Sequence, residues 1–131
     1  MDMYIRYDLE GLVANLTQTR PGGIDMFDGT ECSSSSSIGE KHWNDFGNST
    51  ENPDPWTAQN GAYYVGDENG DAYGSFDINN GYYWGENQGR LMVVHNSTGS
   101  NIGCGILKAG KAYFRRSYNS TSNTVDVTCV S

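Results

Sequence analysis

The stretch Asn123-Thr-Val-Asp-Val-Thr-Cys-Val130 alternates apolar and polar residues along most of its length. Val125 and Val127 fall on one parity, whereas Asp126 and Thr128 fall on the other. Successive side chains of a β-strand point to opposite faces, so this is the period of a strand with one face in a core and one in water. We therefore predict a strand of an antiparallel sheet here.

Similar short segments occur throughout the chain. They are rich in aromatic or β-branched residues and flanked by Gly, Asn or Asp, as strands are. These segments are residues 4–9, 61–65, 72–78, 90–95, 101–107 and 111–118. The connection at 119–122 has the length and residue types of a hairpin loop, whereas residues 32–62 are dense in turn formers and predict a long loop. The sequence predicts an all-β fold.

Size and charge exclude several classes of protein. The 131 residues are 36% hydrophobic and 18% charged, and no apolar run approaches membrane-spanning length. Sixteen acidic and eight basic residues give a net charge of -8, which repels a phosphate backbone. We therefore predict a single soluble domain with no membrane span and no nucleic-acid partner.

Four Asn-x-Ser/Thr sequons indicate a secreted, extracellular protein that carries N-linked glycans. They lie at Asn15, Asn48, Asn96 and Asn119, in stretches that read as turns or strand ends. The first residues have neither the basic start nor the apolar stretch of a signal peptide, so we expect a processed chain or a fragment.

The chain has three cysteines, Cys32, Cys104 and Cys129. None lies at zinc-site spacing from another cysteine or a histidine. Three thiols permit one disulfide and leave one thiol, and in a secreted protein an odd cysteine suggests an intermolecular bridge or a partner in a segment absent from this chain.

Five segments occur in an order that resembles the copper/zinc superoxide dismutase family and its copper-only extracellular relatives. They cover about two thirds of the chain, and the last one begins at Gly99 and ends at Leu107. The resemblance implies a Greek-key β-barrel or sandwich, and a disulfide between Cys32 and Cys104. The segments are Gly22-Gly-Ile-Asp-Met-Phe-Asp-Gly-Thr-Glu-Cys32, Gly39-Glu-Lys-His-Trp-Asn44, Val65-Gly-Asp-Glu-Asn-Gly-Asp-Ala-Tyr-Gly-Ser-Phe76, Gly89-Arg-Leu-Met-Val-Val-His-Asn-Ser-Thr-Gly99 and Gly99-Ser-Asn-Ile-Gly-Cys-Gly-Ile-Leu107.

The same resemblance argues against the family's chemistry. It places His42 at the metal-bridging position and His95 at the last copper-ligand position, while Asp25 and Phe27 replace a His-x-His pair. A copper dismutase needs several imidazoles, and this chain has two histidines. The position of the family's guiding arginine falls at Asn101. We therefore predict no catalytic residue and no cofactor, with a copper site of Asp25, His42 and His95 as the alternative.

The ends of the resemblance suggest an assembly role. It enters the family's barrel near the fourth strand, so the first strands have no counterpart before Met1, and two further strands follow Leu107. We predict a superoxide dismutase-like domain over 1–110 and a strand extension over 111–131. An uncovered sheet edge must be filled, either by this tail folding back or by its insertion into the next copy as a donor strand. Cys129 would then lock the contact between copies.

These features predict a non-enzymatic, secreted structural subunit that assembles with itself head to tail into a filament. One alternative is a divergent copper-dependent dismutase. Another is a monomeric carbohydrate- or ligand-binding module whose loop over 33–56 uses Trp43 and Trp56. Tyr63, Tyr64, Tyr82 and Tyr83 fit either a carbohydrate-binding face or cross-strand packing, and we expect packing.

Overall fold

The computed structural model describes residues 2–17, 19–113 and 123–130, with only the backbone described at Cys129 and Val130. Within these ranges the chain forms eight strands and three helical turns. The strands are β1 (Asp2–Leu9), β2 (Gly22–Phe27), β3 (Tyr63–Tyr64), β4 (Ala72–Asn79), β5 (Leu91–His95), β6 (Asn101–Ile106), β7 (Lys111–Tyr113) and β8 (Thr124–Val130). The helical turns are α1 (Ser35–Ile38), α2 (Trp84–Asn87) and a 3-10 turn (Ala58–Asn60).

The strands form two four-stranded antiparallel sheets arranged as a sandwich. Sheet A has the order β4-β1-β8-β7, and sheet B has the order β3-β2-β5-β6. The prediction of an all-β fold is confirmed. No helix in the described ranges has the length and apolar character needed to cross a bilayer.

Every segment predicted as a strand contains one, but β2 was not among the predictions. Its sequence begins with two glycines, which are poor strand formers because they lose more backbone entropy than other residues. Glycine is needed at both positions because aromatic rings pack directly against the backbone there. A Cβ on Gly22 would lie 2.1 Å from the ring of Tyr64, and one on Gly23 would lie 1.9 Å from the ring of His95. Only glycine leaves room for these two rings.

The core lies between the sheets and follows the alternation of the strands. Burying these apolar side chains is the main favourable term in folding. The core residues are Met3, Ile5, Leu9, Ile24, Met26, Trp56, Ala62, Tyr64, Ala72, Phe76, Ile78, Met92, Val94, Leu107, Ala112, Val125 and Val127.

Sheet B is covered on its outer face as well. Ile38, Leu91 and Val93 form a second buried cluster there, packed against Phe27, Cys104 and Ile106. The Cys32–Cys104 disulfide joins the loop after β2 to β6, with a Cα–Cα distance of 5.9 Å. The implied disulfide pairing is confirmed. This double coverage explains why β5 is apolar at four consecutive positions.

The tail joins sheet A of its own chain. β8 lies between β1 and β7, and β7 pairs with β8 in antiparallel register as the hairpin prediction requires. The hairpin connection itself, residues 114–122, lies outside the described residues. Of the two geometries expected for the tail, the single chain shows the one in which the tail folds back.

Candidate functional site

The first candidate site is the position that β8 occupies in sheet A, between β1 and β7. β8 pairs with β1 over seven residue pairs, from Asp2 opposite Val130 to Asp8 opposite Thr124. On its other side it pairs with β7 over three residue pairs. Val125 is fully buried and Val127 is 3% exposed, so the inner face of β8 is part of the core. β8 is therefore an internal strand whose backbone is bonded on both sides.

Polar contacts fix the register of β8. On the outer face Asp126 lies opposite Arg6, and the two side chains form an ion pair at 3.0 Å. At the start of the strand the buried Asn123 accepts a hydrogen bond from the backbone N–H of Glu10. A slip by one residue would place the valines in water and break both contacts.

One tight turn connects β6 in sheet B to the β7–β8 pair in sheet A. Lys108 and Lys111 exchange two backbone hydrogen bonds of 2.8 and 2.9 Å across it. Its central residues, Ala109 and Gly110, have φ values of +50° and +79°. Glycine adopts such a conformation freely, but alanine is strained there because of its Cβ. Sequence reasoning missed this turn, since its signal is a lone Ala-Gly pair where Asn-Gly is the usual combination.

Cys129 lies in β8 with its backbone opposite that of Met3. Its side chain is outside the described part of the structure, so the predicted interchain thiol stays a prediction.

Two of the three candidate metal residues come together on the outer face of sheet B. Asp25 in β2 and His95 at the end of β5 form an ion pair, with 3.0 Å between Oδ2 and Nε2. The Asp25 side chain is 3% exposed and that of His95 is 27% exposed. The hydrogen bond that His95 donates to Asp25 raises the pKa of His95, while burial opposes that rise. The second ring nitrogen, Nδ1, lies 3.1 Å from the carbonyl oxygen of Asn96.

His42 has a separate environment. Its ring is stacked on Tyr82 with a centroid separation of 4.3 Å and an interplanar angle of 8°. Burial lowers the pKa of His42, and the nearby positive charge of Arg90 lowers it further. Its Nε2 atom has no hydrogen-bond partner within the described residues. Its backbone carbonyl accepts hydrogen bonds from Trp56 and Asn80, so His42 is integrated into the fold through its main chain.

These residues do not fit a copper centre of the dismutase type. Asp25 and His95 are bonded to each other, whereas the ring of His42 lies against Tyr82. Across the described residues, no group of three or more His, Cys, Asp or Glu side chains is placed to hold a metal ion. One imidazole and one carboxylate do not supply the several nitrogen donors that such copper chemistry requires.

The aromatic residues considered for carbohydrate binding have different roles. Trp56 is 2% exposed and donates its Nε1–H to the His42 carbonyl, so its predicted contact with a ligand is wrong. Trp43 is half-buried and bonded to the Asn52 carbonyl. Tyr64 is in the core, its hydroxyl donates to the carbonyl of His95, and burial raises its pKa to about 12.

The three remaining tyrosines and the four sequons have the following surroundings. Tyr82 stacks on His42, Tyr63 is half-buried, and Tyr83 is 68% exposed. Of the sequons, Asn15 and Asn48 are exposed and Asn96 is half-buried, while Asn119 lies outside the described residues.

No protein-family model, curated protein or solved structure matches this chain. The function proposed below is therefore argued from the contacts within the chain itself.

Proposed function

We propose that this protein is a non-enzymatic, extracellular glycoprotein subunit that assembles with copies of itself by exchange of its C-terminal strands. The position of β8 carries the proposal. It is an internal strand of sheet A, bonded on both sides, and the β7–β8 pair is connected to sheet B by one strained turn. When that turn opens, the same strand pair is able to complete sheet A of a neighbouring copy.

Strand exchange costs little free energy because almost every contact that is broken within one copy forms again between copies. The seven pairs with β1, the burial of Val125 and Val127, and the Arg6–Asp126 ion pair would form again between copies. Opening the turn also releases the strain at Ala109, which for a non-glycine residue in this region is on the order of 1 kcal/mol or more. A strained short hinge of this kind promotes exchange.

Head-to-tail exchange produces an open chain of subunits. If each copy donates its strands to one neighbour and accepts them from another, the contact is heterologous and does not close. A predicted bridge through Cys129, on the exchanged strand, would make each joint covalent.

The finer fold assignment is also a proposal: the sandwich is of the copper/zinc superoxide dismutase type, with the catalytic site lost. Two observations support it. Cys32 and Cys104, which the resemblance pairs, form a disulfide. Asp25 and His95, which the resemblance assigns to one metal sphere, are in contact although 70 positions separate them in the sequence. Their direct ion pair in place of several imidazoles supports a non-enzymatic role.

Extracellular location is supported by the disulfide, since disulfides persist in oxidising compartments. The exposure of Asn15 and Asn48 in turns supports glycan attachment.

Strand exchange is tested by cysteines placed across the β1–β8 pair. Arg6 and Asp126 are opposite each other on the outer face, and residues directly opposite in an antiparallel pair are within disulfide reach. Arg6→Cys and Asp126→Cys are made on separate copies in a Cys129→Ser background, and the two copies are co-secreted. A disulfide between positions 6 and 126 of different chains, identified by peptide mapping, is the expected result.

The matched control replaces Asp126→Cys with Thr128→Cys. Thr128 is in the same strand but is opposite Tyr4, two residues away from position 6. Cross-linking should be at least several times weaker with this partner. Equal cross-linking of both pairs, or none with position 126, would overturn exchange of β8.

A further inference from the structure

Exposed apolar side chains lie close to three of the glycosylation sequons. Among the described residues, three strongly exposed large hydrophobic side chains lack a hydroxyl group: Val13 at 65%, Phe46 at 66% and Ile102 at 49%. Val13 lies two positions before Asn15, and Phe46 lies two positions before Asn48. Ile102 lines one surface groove together with Asn96 and Ser97. Each apolar side chain therefore adjoins a sequon.

The turn that carries Phe46 is hydrogen-bonded and strained. Phe46 and Gly47 have φ values of +52° and +78°, and the Asn48 N–H donates to the Asp45 carbonyl at 2.9 Å. The side chains of Asn44 and Asp45 accept hydrogen bonds from the N–H groups of Phe46 and Gly47. A positive φ is unusual for an aromatic residue, and a strained residue held in place by its surroundings points to a function. This turn holds an aromatic ring on the surface.

The ring of Phe46 has support beneath one edge and an open face. A Cβ on Gly81 would lie 3.1 Å from its Cε2 atom, so the absence of a side chain at Gly81 makes room for the ring. The remaining surface of the ring is exposed to water, which is unfavourable for an apolar group.

Asn48 presents its amide nitrogen for modification. Its Oδ1 atom accepts hydrogen bonds from the N–H groups of Thr50 and Glu51, which turns the carbonyl side of the amide inward. Nδ2 has no hydrogen-bond partner within the part of the chain that the structure describes. Phe46 and Asn48 are separated by one residue, so their Cα atoms are no more than about 7 Å apart.

We propose that a glycan on Asn48 packs its first sugar ring against the exposed face of Phe46, so that the glycan completes the apolar surface of this turn. The attachment forms a bond between Nδ2 and the anomeric carbon of an oligosaccharide. Nδ2 loses one proton, and the lipid pyrophosphate of the donor leaves. The C–H groups on one face of a sugar ring are apolar and cover an aromatic ring as another apolar group would. This inference rests on the extracellular, glycosylated state proposed above.

The test is a double-mutant cycle on the secreted, glycosylated protein. Asn48→Gln removes the glycan, Phe46→Ala removes the ring while keeping a Cβ at positive φ, and the third variant combines both. We expect Asn48→Gln to lower the Tm by about 2–5 °C in the wild-type background and by less than about 1 °C in the Phe46→Ala background. Upfield shifts of the first sugar's proton signals, lost in Phe46→Ala, would show the ring contact directly.

Asn96→Gln is the matched control, because its effect on the Tm should be the same with or without Phe46. Additive effects of Asn48→Gln and Phe46→Ala would overturn the packing and leave the extracellular glycoprotein proposal intact. Mass spectrometry separates the remaining outcomes. An empty Asn48 beside an occupied sequon at Asn15, Asn96 or Asn119 would overturn this inference alone, whereas empty sites at all four sequons would also overturn the proposed glycosylated state.

Discussion

The two histidines of the chain have opposite electrostatic surroundings. His95 is paired with the buried carboxylate of Asp25, which favours its charged form and raises its pKa. His42 is stacked on Tyr82 and buried, which favours its neutral form and lowers its pKa. A group whose pKa differs between the folded and unfolded states makes stability depend on pH. The contribution of His95 to stability therefore decreases as pH rises, whereas that of His42 decreases as pH falls.

At the residue scale we predict a pH-dependent effect of Asp25→Asn. The His95 pKa is raised in the folded state, so its stabilising contribution is complete below the unfolded pKa of about 6.5 and is lost as pH rises through the folded pKa. Asp25→Asn should therefore destabilise the protein more at pH 5.5 than at pH 8.5. Urea unfolding at both pH values measures this, and an equal loss at both would contradict it.

His42→Gln should have the opposite pH signature. Because the His42 pKa is lowered in the folded state, its neutral ring loses stability as pH falls below about 6.5 toward the folded pKa. We expect His42→Gln to reduce the stability lost on acidification from pH 7 to 5.5, although burial makes the variant less stable overall. The slopes of unfolding free energy against pH test this, and an unchanged slope in this window would refute the assignment.

At the element scale β8 combines core packing with a role in the proposed exchange. Its inner valines are buried, while its outer face carries Asp126 and the exposed Thr128. Val125→Ala should reduce the unfolding free energy by about 1–3 kcal/mol because it removes buried methyl groups and leaves a cavity. Thr128→Ala, on the outer face of the same strand, should change it by less than about 0.5 kcal/mol. Similar losses for both variants in urea unfolding would contradict the observed facing of β8.

The strained turn before β7 gives a second prediction for this element. Ala109→Gly removes the Cβ that opposes a φ of +50°, so the closed form should gain about 1 kcal/mol. The fraction of protein in assemblies should then decrease several-fold, measured by light scattering after size-exclusion chromatography. Gly85→Ala, where an added Cβ meets open space, is the control and should leave assembly unchanged. An unaltered assembled fraction in Ala109→Gly would contradict the role of the turn as a hinge.

At the scale of the whole molecule, one disulfide joins the long loop to sheet B. The Cys32–Cys104 bridge closes a segment with a sequence separation of 72. A disulfide that closes a loop of that length lowers the entropy of the unfolded chain and thereby stabilises the fold by about 4 kcal/mol. Replacing both cysteines by serine should therefore lower the unfolding free energy by about that amount, measured with guanidinium. A loss below about 1 kcal/mol would show that the bridge does not constrain the unfolded chain.

Assembly itself is tested on the native secreted protein by electron microscopy at neutral pH. We expect open filaments that shorten in reductant if Cys129 bridges copies, and that shorten likewise in Cys129→Ser. Discrete single particles under both conditions would overturn the filament. Filaments that persist in Cys129→Ser would leave exchange standing without the covalent lock.

The alternation of Val125 and Val127 with polar neighbours was sufficient to predict β8, because strand periodicity is a local property. The same reasoning missed β2, whose Gly22 and Gly23 argue against a strand until the rings of Tyr64 and His95 above them are known. It also offered a ligand-binding role for Trp56 as part of an alternative, because a tryptophan in a turn-rich loop carries no local sign that its side chain is buried.

The sequence by itself determined the all-β class, the positions of most strands, the three cysteines and the sequons, because these depend on short-range patterns. Only the tertiary structure decided that Asp25 meets His95 while His42 stacks on Tyr82, and that β8 lies between β1 and β7. It also decided that the ring of Phe46 is exposed to solvent on a turn with a positive φ, two positions before Asn48. These contacts join residues that are far apart in the sequence or depend on backbone angles, and the folding of the chain as a whole determines both.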